Sequence, residues 1–483
     1  MPQAAPEQSQ DLSIELASPH ARLYGGSVVA GHVVRRSHIV APSATVRVRL
    51  LGRAKAKLVV EHGNNQRSIY RSRFDFWPGA AVDDVVHRGP VHIAPGVGEH
   101  QAWAFALPLP TQTDGRFMDT ATSSSSARKA CFLMPPSGPG AGRIPEQPLP
   151  GSFYLDGRGL MKKKWHAFVE YWIEAEMVVQ GKSSIVKAVL PVQVLSPPTP
   201  APPISNFGLT PRTMPGCVAS QRLFPGMEEA QLSFKQKTHK FFGSSKVPSF
   251  HFALDVQSPT VIQMGNDAGI PFLLHLTPNA DKTTDAVRDV PQTVTIQSLK
   301  LEIHSSDGII CPGVLKSHEA GATRKKCMAR IDRLYPQNHN IVLPSGPKEE
   351  PLDLGAVLNL RVDALGRVLH GASEYRESAG TALLPTFVTY CAKVEHTLRW
   401  KIQLAVAGET WKCEGGQRLR VLAPCEDMAS DRAETSAMAA LSLEPPPPAA
   451  EEVPAYDGPE EAAPAYEKVA GDGEDKPTIG GKS

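Results

Sequence analysis

The stretch HAFVEYWIEAEMVV, residues 166–179, alternates along its length. Val169, Tyr171, Ile173, Ala175 and Met177 share one parity, and Glu170, Trp172, Glu174 and Glu176 share the other. Successive side chains on a strand point to opposite faces, so the pattern predicts a β-strand with one face on a core and one toward solvent. IVKAVLPVQVL follows at 185–195, with Val186, Ala188, Leu190, Val192 and Val194 in register. The intervening Gln180-Gly181-Lys182 turn predicts that the two runs pair as a hairpin. Pro191 falls on the outward parity and lacks an N–H, which marks an edge strand.

The same period recurs toward the N-terminus. Leu12, Ile14 and Leu16 alternate with Ser13 and Glu15, and LYGGSVVAGHVV turns at Gly25-Gly26 before running to Val34. In TVRVRLLG, Val46, Val48 and Leu50 oppose Arg47 and Arg49, and Gly52 is expected to end the run. Further strands are expected over 68–76 and 101–107. Residues 108–150 break the pattern with a Ser run at 123–126, Pro135-Pro136 and a Gly/Pro cluster, and read as a disordered insertion.

Toward the C-terminus, SPPTPAPP at 196–203 is a stiff polyproline connector, and the irregular sequence after it extends a Pro-rich linker over 196–230. Period two then resumes with Phe250, Phe252, Leu254 and Val256. Val294 and Ile296 lie on one parity and Leu299, Leu301 and Ile303 on the other, which predicts a β-bulge near Ser298. LNLRV supplies Leu358, Leu360 and Val362. Leu398, Trp400, Ile402, Leu404 and Val406 oppose Arg399, Lys401 and Gln403, and the last strand ends at Pro424. Helical periodicity is confined to 430–443, too weakly amphipathic to stand alone. The fold class is therefore all-β, with two tandem antiparallel β-sandwiches over 11–195 and 231–424. A disordered leader at 1–10 precedes them, and an acidic Pro-rich disordered tail at 425–483 follows.

The formal net charge of +2 conceals an asymmetry. Residues 426–483 hold 14 Asp and Glu against 4 Lys and Arg, a net of −10, leaving 47 Lys and Arg against 35 Asp and Glu, a net of +12, in the rest. Such a body attracts anionic surfaces or acidic peptides. The cationic candidates are Lys162, Lys163 and Lys164, then Arg324, Lys325 and Lys326, with Lys235, Lys237 and Lys240 as a third group; each is as readily a solvated loop. No run approaches the roughly 18 apolar residues of a membrane span. Seven cysteines, odd in number and scattered, read as reduced thiols in a cytoplasmic protein. There is no Walker loop, no nucleophile elbow, no HExxH and no CxxC pair, so no catalytic activity, cofactor or metal is expected. His87, His92 and His100 are close in sequence but sit around expected turns. Basic and aromatic residues are not interleaved along the chain, so no nucleic-acid partner is expected.

Several of these segments together resemble the arrestin-like family, in the style of the fungal α-arrestins, or arrestin-related trafficking adaptors. In the first half the likeness rests on LYGGSVVAGHVV, VRVRLLGRA, YRSRFDFW, AWAFALPLP, LPGSF, FVEYWIEAEM and KAVLPVQVL; in the second, on PTFVTYCAKVEHTLRWKIQLAVAGETW, residues 385–411. The resemblance implies tandem arrestin sandwiches that bind cytosolic tails of membrane transporters or receptors. It also implies recruitment of the WW domains of a HECT-type ubiquitin ligase through Pro-Pro-x-Tyr motifs, in a cytoplasmic protein drawn to plasma membrane or endosomes. The matching positions are Val453, Pro454 and Tyr456, and then Pro464 and Tyr466; Val453 and Ala463 stand where the family pattern has its first Pro.

A WW domain binds a preformed polyproline II segment because little ordering entropy remains to be lost. Losing the first Pro ring costs about tenfold in affinity. Val453 restricts its backbone more than Ala463 does, so the first copy is expected to bind better. Tyr466-Glu467-Lys468-Val469 also fits a tyrosine-based sorting signal. The alternative function is an arrestin-fold sorting or signalling scaffold, of the retromer or pH-sensing kind, without ligase recruitment.

Overall fold

The computed structural model describes residues 3–425 apart from 20, 63–65, 97, 122–129, 135–143, 160–162, 228–246, 332–340, 347–348 and 370–381. Among them the chain is almost entirely antiparallel β-sheet. The first sandwich contains β1 (Ser13–Leu16), β2 (Val28–Arg35), β3 (Ile39–Glu61), β4 (Arg67–Asp75), β5 (Asp83–Ile93) and β6 (Gln101–Pro108). Helix α1 (Gly115–Ala121) follows, then β7 (Phe153–Gly159), β8 (Lys163–Val179) and β9 (Ile185–Val192). A small sheet ordered β1-β2-β6 faces a large one ordered β4-β3-β8-β7, with β5 on β3 and β9 on β8. Val29, Val33 and Phe105 of the small sheet share one core with Val46, Leu50, Tyr171 and Ile173 of the large one.

The alternating stretch that opens the sequence reading is β8, and its hairpin with β9 closes where Lys182 donates its N–H to Val179 O at 3.1 Å, with Gly181 at φ +81°. Its outward acids find partners in the outward arginines of β3. Arg49 pairs with Glu174 and with Glu176, the latter at 2.9 Å, and Arg53 meets Glu170 at 2.5 Å, each pair nearly opposite across the strands. Opposite charges in cross-strand positions favour one register over its neighbours.

The second sandwich contains β10 (Thr210–Ala219), β11 (Ser249–Ser258), β12 (Val261–Gln263), β13 (Leu273–Pro278), β14 (Val294–Cys311), β15 (His318–Ile331), β16 (Ile341–Val342) and β17 (Leu352–Asp353). After helix α2 (Leu354–Val357) come β18 (Arg361–Val362), β19 (Val368–Leu369), β20 (Phe387–Val388), β21 (Ala392–Val406) and β22 (Glu409–Leu422). A β10-β11-β13-β17 sheet covers a larger one ordered β12-β22-β21-β14-β15, and β18 and β19 form a separate ribbon. The parity change in β14 is a bulge at Gln297: Ile296 pairs with Leu404 and Ser298 with Gln403, so Gln297 is the extra residue. Its side-chain carbonyl accepts from Gln403 and from Thr410 Oγ1. Ile296 and Leu299 thereby both reach the core.

Several expectations need correction. Gly52 does not end its strand; β3 runs 23 residues and continues past it, because β5 pairs the first half of β3 and β4 the second. A Cβ on Gly52 would come within 2.7 Å of the Tyr171 ring and 2.8 Å of the Trp77 ring, so glycine here serves packing. The 108–150 stretch, expected as disordered, contains α1 and buries Leu109, Met118, Cys131, Ile144 and Leu149 in the first core. Residues 3–10 of the expected leader lie along the large sheet. Glu7 and Val189 exchange backbone hydrogen bonds of 2.9 and 2.8 Å, and Ala4 N–H donates to Glu170 Oε2 at 2.6 Å. The expected linker is shorter than 196–230, since β10 begins at Thr210. LNLRV is a helix end and a two-residue strand, and the helical pattern at 430–443 lies outside the described residues.

Gly52→Ala is expected to destabilise the protein by about 1–3 kcal/mol through overpacking against two buried aromatics. An equilibrium urea titration reads this as a lower midpoint at unchanged slope. An unaltered midpoint would contradict the close approach.

Candidate functional site

The two sandwiches are joined by strands that pass from one core into the other. On β14, Leu299, Leu301 and Ile303 belong to the second core, whereas Ile309, Ile310 and Cys311 belong to the first. On β21 and just before it, Tyr390, Cys391, Ala392 and Val394 belong to the first core, and Leu398 to Val406 to the second. Tyr390 is fully buried against Phe74, with ring centroids 5.2 Å apart. Its hydroxyl lies 2.6 Å from Thr113 Oγ1 and donates to Pro145 O at 3.0 Å. Around it, Ser72 Oγ donates to Ile310 O at 2.9 Å, Phe132 N–H to Tyr390 O at 2.9 Å, and Gln147 Nε2 to Thr389 Oγ1 at 3.1 Å. The stretch read as a disordered insertion thus supplies Thr113, Phe132, Pro145 and Gln147 to this seam.

Between the two cores these strands carry a polar belt. His396 is only 2% exposed; its Nδ1 lies 2.9 Å from Ser305 Oγ and its Nε2 donates to Leu384 O at 3.0 Å. Burial pushes its pKa down to about 4, against the carbonyl's smaller opposing pull, so the imidazole is neutral at physiological pH. Asp307 is also buried. Burial raises its carboxyl above the usual range, and Arg324 only partly offsets that. Arg324 Nε stands 3.2 Å from Asp307 Oδ2, close enough to pair but off the line of a hydrogen bond.

The two predicted basic clusters meet at this seam. Lys163, at the start of β8, donates from Nζ to Glu319 O of β15 at 3.4 Å, and Arg324 Nη2 donates to Asp156 O of β7 at 2.8 Å. Lys164 pairs with Glu61 at 2.8 Å, Lys325 is exposed, Lys326 has partners of its own, and Lys162 lies outside the described residues. One residue of each cluster, Lys163 and Arg324, thus hydrogen-bonds from one sandwich to the other. Val453, Pro454, Tyr456, Pro464 and Tyr466 lie outside the described residues, as do Lys235, Lys237 and Lys240.

Other candidates are placed apart. His87 and His92 sit on strand β5, not on turns; His87 packs against Trp103 with centroids 5.4 Å apart, while His92 and His100 are exposed. Burial pushes the Cys131 thiol up to about 11 and Cys311 up to about 12, so both are protonated at neutral pH. Sequence reasoning missed His396, Asp307 and Tyr390 as a unit. Their only signal is polar residues at positions where the strand period calls for apolar ones. Among the described residues no helix is long and apolar enough to cross a membrane. No family model matches this chain, and no curated protein matches it.

Between pH 6.5 and 4 the unfolded chain protonates at His396 while the folded one does not, so the folded state loses stability as pH falls through that window, by up to about 3 kcal/mol. His396→Gln, which keeps a donor for Leu384 O, is expected to flatten the slope of unfolding free energy against pH there; an unchanged slope would exclude His396 as its source. Tyr390→Phe removes the donor to Pro145 O and the contact with Thr113 Oγ1, which keeps its hydrogen bonds to Gln147, and is expected to cost about 1–3 kcal/mol in equilibrium unfolding. Unchanged stability would show that these hydrogen bonds are dispensable.

Proposed function

We propose that this chain is a non-catalytic, arrestin-like adaptor that links the cytosolic tails of membrane transporters or receptors to a HECT-type ubiquitin ligase. The observation that carries this reading is the pairing of two β-sandwiches with a C-terminal segment that holds Pro454-Ala455-Tyr456 and Pro464-Ala465-Tyr466. The sandwiches hold cargo, and the tyrosine repeats dock on the ligase's WW domains. Lys163 and the exposed Lys325 supply positive charge for acidic cargo tails or an anionic membrane, where each basic residue contributes about 1 kcal/mol. Ubiquitylation of the held cargo by the docked ligase then marks it for internalisation.

A second reading, an arrestin-fold sorting scaffold that recruits no ligase, is favoured by one observation. Val453 and Ala463 stand where a WW ligand has its first proline. The two tyrosines are ten residues apart, a span of about 17–19 Å for a flexible chain, which limits simultaneous engagement of two WW domains.

Calorimetry of a peptide covering 445–470 against single and tandem WW domains of a HECT ligase separates the two. The ligase reading expects a Kd on the order of 1–100 μM, a larger loss for Tyr456→Ala than for Tyr466→Ala, and no binding by the double variant. Absence of binding by the unaltered peptide would reject ligase recruitment and leave the scaffold reading.

A further inference from the structure

We propose that the tip of the β14–β15 hairpin, residues 312–317, is a membrane-insertion loop that carries Val314 and Leu315 into the interfacial layer of an anionic bilayer. This deepens the membrane part of the function proposed above. Val314 is 96% and Leu315 is 99% exposed, whereas the next most exposed large apolar residue among those described, Val40, is 65% exposed. Scattered exposed aliphatics are ordinary, but two adjacent ones fully in water at the apex of a hairpin are not needed for the turn or the core.

The tip is bare at its apex and fixed at its base. The two strands stay in register up to the pair Cys311–His318, and Cys311 is buried in the first core. Ser72 holds Ile310 O, and the His318 ring stacks on Tyr70 with centroids 3.9 Å apart. Gly313 fits the turn because a Cβ there would collide with Lys316 O and the His318 ring. A mount of this kind presents its apolar residues without an ordering cost on binding.

The surroundings select the partner. Lys316 follows Leu315 directly, and Lys163 reaches the carbonyl of Glu319 at 3.4 Å. Partial burial, then Lys316 and Lys163, hold the His318 imidazole below its usual range, which places both ammoniums within electrostatic reach of the hairpin base. Glu319 and Glu61 are the acids nearby, and Glu61 already pairs with Lys164. A peptide partner needs a groove, and the apex is a convex point flanked by cations. A convex apolar point suits a surface that yields to it, with anionic headgroups meeting the lysines and the acyl boundary taking the two side chains.

The test is co-sedimentation of the full chain with phosphatidylcholine vesicles containing about 30% phosphatidylserine, at low salt and at about 0.5 M salt. Val314→Ser with Leu315→Ser is expected to lower the partition coefficient at least about tenfold, and Lys316→Glu to lower it chiefly at low salt. Both leave the unfolding midpoint unchanged, since neither site touches the core. Leu315→Trp is expected to add a blue-shifted emission component, quenched by brominated acyl chains. The proposal is overturned if wild type does not bind these vesicles, if it binds a soluble acidic peptide instead, if neutral vesicles bind equally well, or if the double serine variant binds like wild type. WW-domain binding by the same full-length proteins separates the causes. Its retention with vesicle binding lost sinks the tip alone, and its absence with vesicle binding intact sinks the ligase reading alone.

Discussion

The structure depends on β14 and β21 being long enough to serve two cores. Each begins in one sandwich and ends in the other, so Ile309 to Cys311 and Tyr390 to Val394 complete the first core while the rest of the same strands complete the second. Removing either sandwich would expose the strand ends of its neighbour to water, and apolar area of this kind is the main source of folding free energy. The two sandwiches are therefore coupled through shared backbone as well as through surface contact. The polar belt between the cores follows from the same geometry. Where a strand leaves one core before entering the next, alternation has no buried apolar neighbour to meet, and Ser305, Asp307 and His396 occupy that gap. His396 is satisfied there by Leu384 O and Ser305, whereas Asp307 Oδ2 has the charge of Arg324 beside it but no hydrogen bond.

Charge on the body is also organised by the sheets. A net of +12 over the residues before 426 suggests a strongly attracting surface. Many of those cations are already matched across strands: Arg47 with Asp83, Arg49 with Glu174 and Glu176, Arg53 with Glu170, Lys187 with Glu176, Lys401 with Glu414. Matched pairs project little field beyond a Debye length. At the seam, Lys163 and Arg324 hydrogen-bond from one sandwich to the other, while Lys316 and Lys325 are exposed.

Periodicity made part of this legible. Residues 166–179 revealed β8 and its core-facing set, although Glu170 and Trp172 of the other parity are buried as well; the turn at Gly181 marked its hairpin, and the parity change between Ile296 and Leu299 marked the bulge at Gln297. The failures have a common physical cause. Strand β15 reads HEAGATRKKCMARI, and β10 holds two prolines and a glycine, so neither shows an apolar stripe; both are strands because neighbours with a clear alternation, β14 and β11, template them. The segment after β6 hides its core contributions singly, with Leu109, Met118, Ile144 and Leu149 separated by Ser, Pro and Gly. No local window can show that such residues converge. At the candidate site, the basic clusters were visible as residue types, but their meeting across two sandwiches depends on a contact between β7, β8 and β15 that only the fold supplies. Val314 and Leu315 were invisible for the opposite reason, because a two-residue apolar run in a turn has no period at all.

The shared strands also bear on how far the seam can move. Domain pairs joined by a linker reorient freely because few contacts cross the boundary. Here a rotation of one sandwich against the other would have to break the β14–β21 ladder or pull Tyr390 from the first core, together with its bonds to Thr113 and Pro145. Either change leaves buried backbone or side-chain groups without partners, at about 1–3 kcal/mol each. Movement is therefore expected in the elements that cross no core: the hairpin apex beyond Cys311, and the exposed cationic side chains. The rigid seam fixes where those elements point, because the strands that carry them are built into both cores.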